Sequence, residues 1–356
     1  MDKNRILQAL SRVRDPLSGR GIVEQNLIKS LTVDASKVHL VLQIGDLNMD
    51  KKNELNFAAI GAIQEVYPEA VVNLHLVVAT SNVKYPHLKN IVAVASGKGG
   101  VGKSTVAVNL AIALKNQGYS VGILDADVYG PSIPIMLGLK GKKPMIQDVH
   151  GKPMMIPLEG HGIPVMSLGF IIEPEQAVVL RGPKLSTIVS QFFNECLWPE
   201  LDYLIVDLPP GTGDVQLTLV QTAPVTGVVM VTTPQEVAVA DALKGMNMFR
   251  LDSVNVPILG VVENMSWFTP KELPENKYFI FGKGGGTQLA QMGETELLGQ
   301  IPIVMGIREG GDAGVPAALT DEMRMPFDQL ASRLTHAVEN RVETKAPTTV
   351  VNITER

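Results

Sequence analysis

Cysteine, aromatic residues, surplus positive charge and long apolar runs are all scarce in this chain of 356 residues. Cys196 is its one cysteine, which excludes an internal disulfide and a metal site built from the thiolates of a single chain. Aromatics make up 5% of the composition against 45% hydrophobic and 19% charged residues, as in an ordinary globular α/β protein and unlike a disordered or fibrous one. With 31 basic and 36 acidic residues the formal charge is -5, so no bulk positive field attracts nucleic acid or an anionic membrane. No apolar run approaches the roughly 18 residues of a membrane span. The opening MDKNRILQALSRVRDP reads as an amphipathic helix, not a charged region leading into a signal core. Together these absences predict a cytoplasmic protein with neither nucleic acid nor membrane as partner.

The length suggests two domains. Over residues 1–80 the pattern predicts a small α+β module: helix Lys3 to Val13, strand Val38 to Ile44, helix Glu54 to Val66 and strand Ala70 to Val78. Residues 81–90 read as a linker. From Ile91 to about residue 344, buried-looking β runs alternate with helices: Ile91 to Ala95, Val121 to Leu124, Tyr203 to Val206, Val228 to Val231 and Ile258 to Val262. Strands that are apolar on both sides belong to parallel sheets covered by helices on both faces, so this part is expected to be a doubly wound, mostly parallel α/β domain. Gly138 to Pro183, rich in Gly, Pro and Met, is expected to hold a β-hairpin and loops, and residues 345–356 read as a mobile tail.

Chemistry concentrates after the first of these strands. SGKGGVGKST, Ser96 to Thr105, follows a buried strand and opens a helix running to about Gln117 with Gly118 as its cap. Gly97, Gly99, Gly100 and Gly102 let successive backbone N–H groups, those of Lys98 and Val101 among them, turn around phosphate oxygens at a helix N-terminus. Lys103 is placed to reach β and γ phosphates, Ser104 to ligate Mg²⁺ and Thr105 to donate to the α-phosphate. Gly97, Gly99 and Gly102 also satisfy the dinucleotide pattern G-x-G-x-x-G, with Asp125 available for a ribose. That fold has no use for Lys103 followed by Ser104, which a triphosphate with Mg²⁺ requires, so the segment is read as an ATP-binding P-loop.

Three carboxylates are expected beside it. Asp207 ends the apolar run of LDYLIVDLPPGTGD and is the candidate Mg²⁺ carboxylate, with Gly211 and Gly213 in a rigid Pro-Pro-Gly loop free to approach the γ-phosphate. In LDADVYGPS, Asp127 is assigned to orienting the attacking water and Asp125 to the Mg²⁺ shell. Lys98 is an additional cation that an ordinary phosphate loop does not need; it reads either as a solvated loop lysine or as a cation suited to transition-state charge.

KGGVGKST, LDADVYGPSIPIMLG, DLPPGTGD and VVENMS together resemble the Mrp/ApbC family of iron–sulfur cluster carrier ATPases, relatives of MinD and ParA, over about Ile91 to Leu334. The front module resembles a small domain of iron–sulfur assembly factors. The resemblance implies a nucleotide-sandwich homodimer in which Lys98 acts across the interface, adenine contacts from Asn264 and Pro302, an iron–sulfur cluster as cargo, and iron–sulfur apoproteins or assembly factors as partners. Many such chains carry Cys-x-x-Cys after the Asn-Met-Ser segment, where this one reads Trp267-Phe268-Thr269-Pro270-Lys271-Glu272-Leu273. Cluster binding in that manner is therefore expected to fail. Cys196, in the apolar helix-like run IVSQFFNECLW, reads as a buried inert thiol. Two other functions fit the motifs less fully: a MinD/ParA-like positioning ATPase, which needs a membrane helix or a basic DNA face, and an ATP-gated scaffold that recruits clients.

Overall fold

A computed structural model of the chain describes residues 1–16, 19–25, 27–34, 37–44, 49–78, 85–127, 130–171, 182–344, 348 and 350. It falls into two compact units, Met1–Lys84 and Tyr85–Arg356.

In the smaller unit, helix α1 (Lys3–Leu10) starts where the Asp2 carboxylate accepts from the Asn4 N–H, and it stops three residues short of the expected Val13. Strands β1 (Ile28–Asp34), β2 (Lys37–Ile44) and β3 (Val71–Val78) form a sheet in that order, with helix α2 (Met49–Val66) connecting the parallel pair β2 and β3. Leu40, Leu42 and Ile44 alternate inward and pack with Leu55, Ala59 and Ile63. The sequence reading missed β1, whose register shifts between Ile28 and Ser30, so its alternation is broken where it begins.

The larger unit is built on eight strands, running from β13 (Leu297–Ile303) at one edge through β12, β11, β4, β10, β5 and β9 (Ile163–Ser167) to β8 (Leu158–Gly160) at the other. Its centre comprises β4 (Leu88–Ser96), β5 (Val121–Asp125), β10 (Leu201–Asp207), β11 (Gly227–Thr232) and β12 (Ile258–Phe268), and all its pairings are parallel except the edge pair β8 and β9. β4, β5, β10 and β11 are buried along almost their whole length because helices cover both faces. Helix α3 (Lys103–Asn116) packs on β4, β5 and β10.

β4 begins at Leu88, three residues before the expected Ile91. The Gly138 to Pro183 stretch holds the expected hairpin, β6 (Ile146–Val149) with β7 (Lys152–Met155), and beyond it two strands that sequence did not resolve, β8 (Leu158–Gly160) and β9 (Ile163–Ser167). The tail beyond residue 344 lies outside the described residues except for Thr348 and Val350.

The chain leaves β4, reaches β5, returns to β10 beside β4, then crosses to β11 on its other side. That reversal opens a crevice at the carboxyl ends of β4, β5 and β10, where α/β sheets bind ligands.

Candidate nucleotide site

The loop between β4 and α3 is shaped by its neighbours as much as by what it faces. A Cβ on Gly97 would lie 2.1 Å from the Asp241 carbonyl carbon and 2.2 Å from the Ala242 nitrogen, backbone atoms of helix α7 (Glu236–Arg250, counting helices in chain order through α4 Ile133–Met136, α5 Gly182–Asn194 and α6 Asp214–Thr222). Gly102 has φ +80°, and a Cβ there would meet Asn264 Nδ2 at 2.1 Å. Two of the four glycines are thus demanded by protein packing, a reason sequence did not supply. A Cβ on Gly99 would meet only Pro210 Cγ, at ordinary contact distance, and Gly100, with nothing within 4 Å, is held to glycine by its φ of +80°.

At the helix start, Lys103 Nζ donates to Asp207 Oδ1 at 2.6 Å and approaches Asp127 Oδ2 at 3.5 Å. Ser104 Oγ donates to Asp207 Oδ2 at 2.5 Å. Lys103 and Asp207 are both buried, so the carboxylate's two oxygens are held by one cation and one hydroxyl in a medium where such contacts are strong. Asp207 and Asp125 are register partners on β10 and β5, which puts both carboxylates at one end of the sheet.

Asp125 is fully buried. Its Oδ1 accepts from the Asp127 N–H at 3.1 Å and its Oδ2 from Ser167 Oγ at 2.9 Å. Burial, reinforced by the Asp207 charge, holds this carboxyl well above the usual carboxylate range. Ser167 also receives the Gly169 N–H and was not foreseen, because it arrives on the unrecognised strand β9.

The Pro209-Pro210-Gly211 loop is tied down at two points. The Gly211 N–H donates to the Ser96 carbonyl at 2.8 Å, and Gln216 Nε2 donates to the carbonyls of Pro209 and Gly211 at 2.7 and 3.0 Å. Gln216 was also missed. Its signal in the sequence is a polar residue on the apolar face of α6, where it lies buried.

Lys98 sits on the loop with its ammonium in no hydrogen bond or ion pair among the described residues, while its carbonyl accepts from Ser96 Oγ. Thr105 lies in the first turn of α3, where its carbonyl accepts from Asn109. Asn264 Nδ2 donates to the Val101 carbonyl at 2.9 Å, which fastens the loop to β12, and Pro302 stands on the edge strand β13 (Leu297–Ile303). Glu263, next to Asn264 and buried, accepts from the Gly286 N–H and from Gln300. Cys196 lies beyond the end of α5, not within a helix as its run of neighbours suggested. It is bridged to Met155 and buried, and burial pushes its thiol up to about 12. No group of three or more His, Cys, Asp or Glu able to hold a metal occurs among the described residues.

Residues 87–339 match the family described as NUBPL iron-transfer P-loop NTPase. The chain belongs to this family. Residues 3–75 match the family described as iron-sulfur cluster assembly protein. A relative from Synechocystis sp. named iron-sulfur cluster carrier protein is 42% identical, over 88% of this chain and 91% of that one. Among solved structures, a nucleotide-binding protein from Archaeoglobus fulgidus in complex with ADP is 37% identical, with a TM-score of 0.57 over 65% of this chain and 90% of that one. The cell division ATPase MinD from Pyrococcus furiosus is 22% identical with a TM-score of 0.51, over 70% of this chain and 99% of that one, a likeness of fold alone. The match spans the strand, glycine loop and Lys103-Ser104 of residues 91–105. No helix among the described residues is long and apolar enough to cross a membrane.

Proposed function

We propose that the chain is a Mg²⁺-dependent ATP hydrolase that serves iron–sulfur cluster assembly or transfer to apoproteins and works as a homodimer. The observation that carries this reading is the buried contact of Lys103 and Ser104 with Asp207 at the mouth of the glycine loop. The names of the relatives supply the iron–sulfur context.

In this reading Lys103 exchanges part of its contact with Asp207 for the β and γ phosphates, while the loop N–H groups from Gly97 to Thr105 and the start of α3 hold the phosphate chain. Ser104 and Asp207 are hard oxygen donors at the same point, which suits Mg²⁺, and Asp125 serves that shell while holding the Asp127 backbone. When bound, the ion would supply charge neutralisation for the phosphates. Asp127 orients the attacking water. Asn264 and Pro302 flank the adenine. Lys98, whose ammonium has no partner in its own chain among the described residues, reaches the phosphates of the second protomer.

Contact with apoproteins or assembly factors, driven by nucleotide state, is the proposed means of action. A [4Fe–4S] centre needs about four thiolates and a dimer offers two, both Cys196 and both buried.

Mixing Lys98→Ala with Asp127→Ala tests the composite site, each variant alone being expected to lose nearly all turnover. A mixture should recover about a quarter of wild-type turnover, because random exchange makes about half the dimers mixed and each has one intact site of two. Mixed dimers that form without recovery exclude the trans role. A wild-type protein that binds ATP and never hydrolyses it leaves the scaffold reading instead.

A further inference from the structure

The β6–β7 ribbon is joined to the larger unit at its base. The Met155 N–H donates to the Glu195 carbonyl at 2.7 Å and the Leu197 N–H donates to the Met155 carbonyl at 2.8 Å. A lone two-stranded ribbon has no core of its own. Here Met145 and Ile146, adjacent and therefore pointing to opposite sides, are each 70% exposed. Packing one face of the ribbon against a sheet would bury one of them. Both are presented outward.

The charge around them is opposite to that of the chain. From Lys140 to Ile156 there are four lysines, Lys140, Lys142, Lys143 and Lys152, and one acid, Asp148, a local balance of +3 in a chain of net charge -5. All four lysines are exposed, and the ammonium groups of Lys140, Lys142 and Lys152 make no hydrogen bond or ion pair among the described residues. Asp148 is occupied at the turn, where its Oδ1 accepts the Gly151 N–H at 2.8 Å. An exposed, flexible methionine beside an isoleucine and flanked by solvated cations is suited to a surface that accepts varied apolar side chains set among carboxylates. DNA is poorly matched, since phosphate contact gives no use to Met145 and Ile146.

We infer that the β6–β7 ribbon is a docking finger for acidic protein partners, in which Lys140, Lys142 and Lys152 steer the partner and Met145 and Ile146 take up its apolar side chains. The inference rests on the ribbon and is separate from the nucleotide chemistry.

The test uses the full chain and a fluorescent glutamate–tyrosine copolymer as an acidic, apolar probe, followed by anisotropy. Wild type should bind it, and Lys140→Glu/Lys142→Glu/Lys152→Glu should weaken binding at least about tenfold at low ionic strength, with the gap narrowing as salt rises. Met145→Ser/Ile146→Ser should weaken copolymer binding while leaving polyglutamate binding unchanged, and ATP turnover should be unaltered in both variants. Equal binding by the triple variant would overturn the inference. So would tighter binding to phosphatidylglycerol vesicles or duplex DNA than to the copolymer, or self-association of the wild type that the triple variant abolishes.

Discussion

Lys103→Ala removes the cation from a buried set of carboxylates. Lys103 lies 2.6 Å from Asp207, whose carboxylate is fully buried, and 3.5 Å from Asp127, and behind Asp207 stands the fully buried Asp125. Deleting one partner of a buried ion pair costs about 3–5 kcal/mol, because the other charge stays desolvated and unpaired. For a unit of this size about 1 kcal/mol moves the melting temperature by roughly 2–4 °C, so a fall of at least about 6 °C is expected. The Asp125 carboxyl, already held high by burial and by Asp207, should rise further once the cation is gone. A group whose folded pKa is raised stabilises the fold at low pH and loses that contribution as pH rises through the folded value. The deficit of Lys103→Ala against wild type should therefore be larger at a pH above the ordinary carboxylate range than at one within it. Adding Asp207→Asn to Lys103→Ala should recover most of the lost stability without restoring turnover. The assay is thermal unfolding followed by circular dichroism at both pH values, with ATP turnover alongside. A melting temperature within about 2 °C of wild type, or no recovery in the double variant, would refute the electrostatic account, and near-normal turnover would refute the P-loop assignment.

Gly97→Ala should melt lower by an amount that reflects about 1–3 kcal/mol of overpacking, because its Cβ meets the α7 backbone, which has no side chain to swing away. Gly99→Ala, with only Pro210 at 3.9 Å, should melt like wild type, and equal melting of the two variants would show that α7 does not hold the loop. Cys196, buried with its thiol pushed up to about 12, should resist iodoacetamide at pH 8 in the native protein and react on unfolding. Anaerobic reconstitution should yield at most sub-stoichiometric iron and sulfide, and a stoichiometric cluster whose visible absorbance is lost in Cys196→Ser would overturn that expectation.

Sequence made the candidate phosphate loop legible because its chemistry is local. The Gly, Lys and Ser residues of 97–104 lie within one strand–loop–helix turn, and the loop's orientation follows from the strand before it and the helix after it. The parallel sheet was equally legible, since β4, β5, β10 and β11 are buried on both faces and read as unbroken apolar runs. The short strands β8 and β9, of which β8 is the edge, were not, because their Pro and Gly content hides the alternation, and Ser167 with its bond to Asp125 was hidden with them. What only tertiary structure decided is which distant groups meet. Sequence says that Asp125 and Asp207 each end a strand, and the sheet order makes those strands neighbours in register. It says that Gly97 and Gly102 are glycines, and the packing of α7 and Asn264 shows why nothing larger fits. Such contacts join residues about eighty or more positions apart, and their placement depends on burying whole faces of helices and strands, not on any local preference.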